Sequence, residues 1–334
     1  MNMLTRLFVL GVLLGGSHAV AAPAVLLAPV LGLPERVMLQ GRVLKEAPSD
    51  GSSALSRNLR RLAAPNWEGA KVSVRFQGVT AIVTSGHDGG FEVTLMPPEG
   101  GRFKEGASEA EAWVEGAITS ARVEVLPATT SLLVVSDFDD TLAVTQVTKP
   151  AKLVQTALLK DSDTQEVVPG MAALYGCLRG SATSSAFALV SGSPVQYLPR
   201  VRGFLERHQF PAGFGVYLRD LGPSSLSNYK QPIIRRLLTQ FPLPVVLVGD
   251  SGEKDPEVYA QIREEFPGRV KAVYIRDAGR TKDVKRFQDM VLFKDAREAA
   301  EHAVGLGLAD AACVASVLPK PSVSLPATAG PTPP

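Results

Sequence analysis

Two cysteines, Cys177 and Cys313, and four histidines are all that this 334-residue chain offers a soft metal. A zinc site built on thiolates is excluded, because such sites draw on four Cys or His ligands at set spacings. Nor is this a disulfide scaffold, which needs a dense set of cysteines. The two thiols can pair in an oxidising compartment or sit buried as small apolar groups, and the sequence leaves both open. Charge of one sign is also lacking: the formal net charge is +2. A nucleic-acid partner held mainly by charge is therefore not expected. Arg57, Arg60 and Arg61, and likewise Arg200, Arg202 and Arg207, read as solvated faces.

A membrane-spanning run is missing as well. The N-terminal apolar stretch from Leu7 to Gly16 is shorter than the ~20 residues a spanning helix needs. It follows Arg6, is interrupted by Gly11, Gly15 and Gly16, and leads into small residues. Ser17 and Ala19, or Ala19 and Ala21, stand at the minus-three and minus-one positions of a cleavable export signal. Residues 1–21 are accordingly expected to be a signal peptide, and the mature chain secreted or periplasmic with no stable transmembrane anchor.

What is present falls into two grammars. Within residues 30–128, "RVMLQGRVL", "AKVSVRFQGVTAIVTS", "FEVTLMPP" and "ARVEVLPA" alternate or cluster β-formers, with turns such as "GHDGG" between them. This predicts a small β-sandwich-like domain, of the immunoglobulin or transthyretin kind, with a structural or interaction role. Within residues 129–312, the apolar runs "LLVV", "FALV", "VVLV" and "VKAVYI" alternate with helix-like segments at 169–180, 195–208, 229–240 and 256–265. That pattern predicts an α/β fold with a parallel sheet covered on both faces. "DAREAAEHAVGLGL" reads as a closing helix, and the Pro-rich tail 319–334 as disordered.

The chemistry lies where these apolar runs stop. The first ends in Asp137, Asp139 and Thr141, the second in Ser191, Gly192 and Ser193, the third in Asp250 and then Asp255. Ligands of open parallel sheets bind beyond the carboxyl ends of the strands. So many carboxylates at one edge repel each other unless a cation holds them. One carboxylate can attack phosphorus, and a second, two residues on, can move protons to the leaving group and from water. Mg2+ takes hard oxygen ligands of this type, and small hydroxyls and backbone N–H groups in "SGS" can hold phosphate oxygens. Lys230, ahead of "VVLVGD", is the candidate cation on the phosphate side.

Taken in order, "SDFDDTL", "VPGMAALYGCL", "VSGSPVQYLPRVRGFL", "FPAGFGVYLRD", "VGDSGEKDPEVYAQI" and "YIRD" resemble the catalytic domain of actin-patch-type phosphatidate phosphatases. These are lipin-related members of the haloacid dehalogenase-like superfamily, and the resemblance covers about residues 131–280. It implies a Mg2+-dependent phosphomonoesterase acting on phosphatidate met at a membrane surface, or on a related phosphate monoester. It further implies Asp137 as nucleophile and metal ligand, and Asp139 as general acid/base with its carbonyl on the metal. Thr141 would orient the loop, Ser191 and Lys230 would hold phosphate, and Asp250 and Asp255 would serve the metal. Arg219 and Arg276 would assist substrate binding or form ion pairs with Asp220 and Asp277, and Asp140 would be a solvated loop acid. The short span around "LVQTALLKDSD" leaves no room for a large cap. Two rival readings are a phosphatidate-binding module without catalysis and an adhesion or cargo protein with a vestigial phosphatase half.

Overall fold

Short alternating strands open the chain, in a computed structural model that describes residues 22–48, 54–145, 165–178, 184–219, 229–279 and 283–318. The expected signal, the "LVQTALLKDSD" excursion, Asp220 and the Pro-rich tail lie outside the described residues. The N-terminal elements are β1 (Ala24–Leu27), β2 (Val30–Gly32), β3 (Val37–Leu44), α1 (Ala54–Ala63), β4 (Lys71–Phe76), β5 (Val79–Thr84), β6 (Gly90–Leu95), β7 (Gly106–Val114) and β8 (Ala117–Val125). They form a three-stranded sheet, β1-β3-β6, and a five-stranded sheet, β2-β8-β7-β4-β5. Both sheets contribute to one apolar core, in which Leu39, Val43 and Phe91 meet Val74, Phe76, Ala112 and Val123. The side-chain period of two in "KVSVRF" places Val72, Val74 and Phe76 inward. Helix α1 was not anticipated from the strand-like pattern of this region.

The second half begins with β9 (Thr130–Ser136), α2 (Met171–Leu178), β10 (Ser184–Pro194), α3 (Leu198–Arg207), β11 (Phe214–Arg219) and α4 (Lys230–Gln240). It continues with β12 (Val245–Asp250), α5 (Asp255–Glu265), β13 (Val270–Arg276), β14 (Val291–Phe293), α6 (Ala296–Gly305) and α7 (Ala311–Val317). The six strands pair in parallel in the order β11-β10-β9-β12-β13-β14. Helices α2, α3, α6 and α7 pack with apolar residues of one face, and α4 and α5 with those of the other. Such double cover is why these strands are aliphatic throughout rather than alternating. The strand order reverses between β9 and β12, and ligands of such sheets bind beyond the carboxyl ends at this point. The protein is thus a mixed α/β structure with one large parallel sheet and two smaller sheets.

Strand β11 is the edge of the parallel sheet, and the N-terminal half covers it. The Val216 amide donates to the Pro29 carbonyl at 2.8 Å, and Gln40 Nε2 donates to the Val216 carbonyl at 3.4 Å. Covering an edge removes a site of unwanted strand pairing.

Cys177 of α2 and Cys313 of α7 form a disulfide across 136 residues, which decides between the two readings left open above. A loop of that length carries a chain-entropy stabilisation of about 4–5 kcal/mol, with measured values usually lower. Replacing both cysteines by alanine is expected to lower unfolding free energy by ~2–5 kcal/mol in denaturant titrations. The wild type in reductant should approach the same value. Identical midpoints for all three samples would contradict a structural role for the bond.

Candidate active site

Four segments meet at the carboxyl edge of the sheet. Asp137 follows β9 directly and its amide donates to the Val248 carbonyl of β12 at 2.9 Å. Its side chain, 1% exposed, is held by Thr141, whose Oγ1 donates to Oδ2 at 3.1 Å. The other oxygen, Oδ1, lies 2.8 Å from Lys230 Nζ without an aligned hydrogen bond. Behind it, the Tyr175 hydroxyl donates to Ser136 Oγ, which donates to the Asp137 carbonyl, both at 2.6 Å. The nucleophile candidate is therefore fixed from both its side chain and its backbone.

The turn that follows is shaped by the acid assigned no chemical task. Asp140 sits at φ 53°, a left-handed conformation that Asp and Asn adopt more readily than most residues. Its Oδ1 accepts from the Thr145 amide at 2.9 Å, and Arg276 Nη1 donates to its carbonyl at 2.6 Å. Asp140 is thus a structural element of the loop rather than a solvated acid. Arg276 clamps this loop, while Asp277 lies 3.8 Å from Lys294. Asp140→Val, β-branched at a positive φ, is expected to destabilise by ~1–3 kcal/mol in denaturant unfolding, whereas Asp140→Asn stays close to wild type.

Asp139 faces the second loop. Its Oδ2 accepts from Ser191 Oγ at 3.3 Å and from Ser193 Oγ at 2.8 Å, and the Ser193 amide donates to Ser191 Oγ at 3.0 Å. Arg219 Nε donates to the Gly192 carbonyl at 3.1 Å, so this arginine braces the Ser-Gly-Ser loop. Burial raises the Asp139 pKa and Glu253 adds to the rise, against opposing effects of Ser193, Arg200 and Lys230. Arg200, expected on a solvated face, is buried instead. Its Nε and Nη2 donate to Gln165 Oε1 at 3.0 and 2.8 Å, and its guanidinium lies over the Tyr197 ring. The helical pattern of 195–208 was visible in the sequence; which arginine faces inward was not.

Lys230, the first residue of α4, is 6% exposed and joins the carboxylates. Its Nζ lies 2.5 Å from Asp255 Oδ1 and 3.1 Å from Glu253 Oε2, as well as 2.8 Å from Asp137. Burial acts to lower the lysine pKa, but Asp137, Asp255 and Glu253 together carry it well above its ordinary value. Burial raises the Asp137 carboxyl well above the usual range, with Asp255, Glu253 and Asp250 adding to it against Lys230. Asp250 is likewise raised well up, by burial first and then by Asp255.

Ligand oxygens of Asp137, Glu253 and Asp255 all lie within 4.8 Å of one another. Glu253 went unassigned in the sequence, although it stands inside "GDSGEKD" between the two aspartates that were chosen. Asp250 is not in this triad. Its Oδ1 turns back to accept from the Gly252 and Glu253 amides at 2.5 and 3.2 Å, while Oδ2 is buried and accepts no hydrogen bond. The Lys230 ammonium already lies among these three carboxylates, so a hard divalent cation fits at the orphaned buried Oδ2 of Asp250 together with carboxylate oxygens that the lysine does not contact.

Gly249 makes the arrangement possible. A Cβ there would stand 2.5 Å from Asp255 Oδ2 and 2.8 Å from the Tyr259 ring. Tyr259 itself donates to the Val248 carbonyl at 3.0 Å, and Asp255 Oδ2 accepts from the Asp250 amide at 3.2 Å. Gly249→Ala is expected to push α5 away, destabilising by ~1–3 kcal/mol in chemical denaturation, with loss of any activity that needs Asp255.

With this geometry in hand, residues 132–277 match the family described as "Phosphatidate phosphatase APP1, catalytic domain". This segment is similar to the catalytic domain of APP1-type phosphatidate phosphatases. An uncharacterized protein of Schizosaccharomyces pombe is 32% identical over 153 residues, covering 43% of this chain and 25% of that protein. Phosphatidate phosphatase APP1 of Saccharomyces cerevisiae is 31% identical over 150 residues, covering 42% of this chain and 25% of that protein. The chain thus spans about a quarter of the length of the curated relatives it matches. The solved Pnkp1/Rnl/Hen1 complex aligns over 44% of this chain and 50% of that chain, at 16% identity and a TM-score of 0.31, too distant to bear on the function. Asp137, Asp139, Ser191, Lys230, Asp250, Glu253, Asp255 and Arg276 all fall inside the matched segment.

Proposed function

We propose that the protein is a Mg2+-dependent phosphomonoesterase that works through a phospho-Asp137 intermediate. Its substrate is phosphatidate or a related phosphate monoester. The observation carrying this reading is the convergence of Asp137, Lys230, Glu253 and Asp255 beside an Asp139 that faces two serine hydroxyls, within an APP1-type segment. The parallel sheet is read as a haloacid dehalogenase-like core without a large cap, and the two smaller sheets as a β-sandwich.

Asp137 would hold the cation together with Glu253, Asp255 and the free oxygen of Asp250. The cation, when bound, neutralises phosphate charge and lets a carboxylate approach it. Thr141 fixes the carboxylate of Asp137 for in-line attack on phosphorus, forming the Asp137–P bond as the P–O bond to the alcohol breaks. Asp139 gives its proton to that departing oxygen, which leaves as the alcohol. Burial raises its pKa, which favours the protonated form that a general acid needs. Water then attacks the acyl phosphate while Asp139 takes its proton, releasing phosphate and restoring Asp137. Ser191 and Ser193 hold non-bridging phosphate oxygens, and Lys230 balances their charge.

Export to an oxidising compartment agrees with the Cys177–Cys313 bond. Among the described residues no helix is long and apolar enough to cross a membrane. The deciding experiment measures phosphate release from phosphatidate in mixed micelles and from soluble monoesters, with Mg2+ or with EDTA. Release that EDTA abolishes and Mg2+ restores is expected. Tight phosphatidate binding with no release from any ester would favour the non-catalytic lipid-binding module instead.

A further inference from the structure

A cavity of about 320 Å³ lies at the junction of the two halves. Ala28, Gly41 and Phe91 line it from the N-terminal sheets, and Val195, Leu198, Leu218, Tyr229 and Ile233 line it from the parallel-sheet half. Three of these lie within two residues of a site residue, or pair directly with one, on separate segments. Leu218 is the direct cross-strand partner of Ser191. Val195 comes two residues after Ser193, and Tyr229 immediately precedes Lys230. The Tyr229 hydroxyl donates to the Leu218 carbonyl, tying two of these segments together. Helix α1 of the N-terminal half also packs against the turn Val195–Tyr197.

The charges that line the cavity are matched within its wall. Arg236 Nη1 donates to Glu92 Oε2 at 2.6 Å and Nη2 to Gln40 Oε1 at 3.3 Å, and Asp88 accepts from Arg42 at 3.3 Å. An occupant therefore needs no charge of its own. Cavities at such junctions commonly take the apolar part of a small ligand, and ~300–1,000 Å³ is their usual range. At the lower end of that range, the space suits one compact organic group rather than two complete acyl chains.

We propose that this junction cavity binds the uncharged organic end of the phosphate ester, the alcohol that leaves, so that the N-terminal sheets help set substrate choice. The inference rests on the phosphomonoesterase reading. Apolar burial makes affinity rise with chain length until the cavity is filled.

The test uses butyl, octyl and dodecyl phosphate as probes with the full chain, comparing the wild type with Ile233→Trp, which fills the cavity, and Ile233→Leu, which conserves its volume. In the wild type, KM should fall from butyl to octyl phosphate. Ile233→Trp should raise KM for octyl phosphate by roughly tenfold relative to butyl phosphate, with the Leu variant behaving as wild type. A KM independent of chain length, or an unchanged octyl-to-butyl ratio in Ile233→Trp, overturns the proposal. Calorimetric binding of the same probes to Asp137→Asn reads the same ratio without turnover. If the wild type releases phosphate from no ester, the enzyme reading fails, and the calorimetric ratio still decides the cavity.

Discussion

Asp137→Asn is expected to abolish phosphate release, by at least ~10³-fold in kcat, because the proposed nucleophile is lost while its shape is kept. Asparagine can retain the acceptor for Thr141 Oγ1, now at 3.1 Å, and the backbone clamp from Ser136 and Val248. Stability should move the other way. Burial raises the Asp137 pKa, Lys230 opposes the rise, and Asp255, Glu253 and Asp250 add to it, so removing its charge relieves desolvation and repulsion that outweigh the lost Lys230 pair. A melting temperature equal to or above that of the wild type, together with absent turnover, is the expected pair of results. Acid-quenched wild type should carry a covalent phosphate that the variant lacks, visible by mass spectrometry. Turnover surviving in Asp137→Asn would sink the phospho-aspartate mechanism whatever the substrate.

Lys230→Met is expected to have the largest effect on stability. The ammonium lies within 2.5–3.1 Å of three carboxylates, and its loss leaves them buried without a cation. Breaking a buried charge cluster in this way destabilises by ~3–5 kcal/mol. The direction with pH follows from the carboxylates. Burial raises the pKa values of Asp137, Asp250 and Asp255 above the ordinary 3.8, so the folded chain holds more protons than the unfolded one. Stability from this cluster is then lost as pH rises from about that ordinary value upward. The lysine variant should show a steeper loss than the wild type, and added Mg2+ should recover part of it at neutral pH. Denaturant unfolding at pH 5 and pH 8, with and without Mg2+, measures each of these. A variant as stable as the wild type at pH 8 without Mg2+ would contradict the ion-pair arrangement.

The positions of these residues were legible in different degrees. "LLVV" running into "SDFDDTL" marks a strand end with too much like charge to stand alone, and the sequence places Asp137 and Asp139 there directly. Strand β11 was harder to read. "FGVYLR" carries no reactive residue inside it, and only its pairing beside β10 reveals it as the edge that the N-terminal half covers. Arg200 shows a further limit: a basic run reads as solvated, yet one helix face turned inward and buried it against Gln165. Glu253 shows another. It sits in the same loop as Asp250 and Asp255, and side-chain direction alone made it, rather than Asp250, the third member of the triad.

The sequence by itself determined the alternation of apolar strands and helices, the order of the motifs and the placing of acids at the strand ends, because these depend on local periodicity and residue chemistry. Only the tertiary structure decided that Cys177 and Cys313 pair, that Lys230 bridges three carboxylates, and that residues of both halves line one cavity, Leu218 among them. Each of those depends on segments far apart in the chain being brought within a few ångströms, which no local pattern encodes.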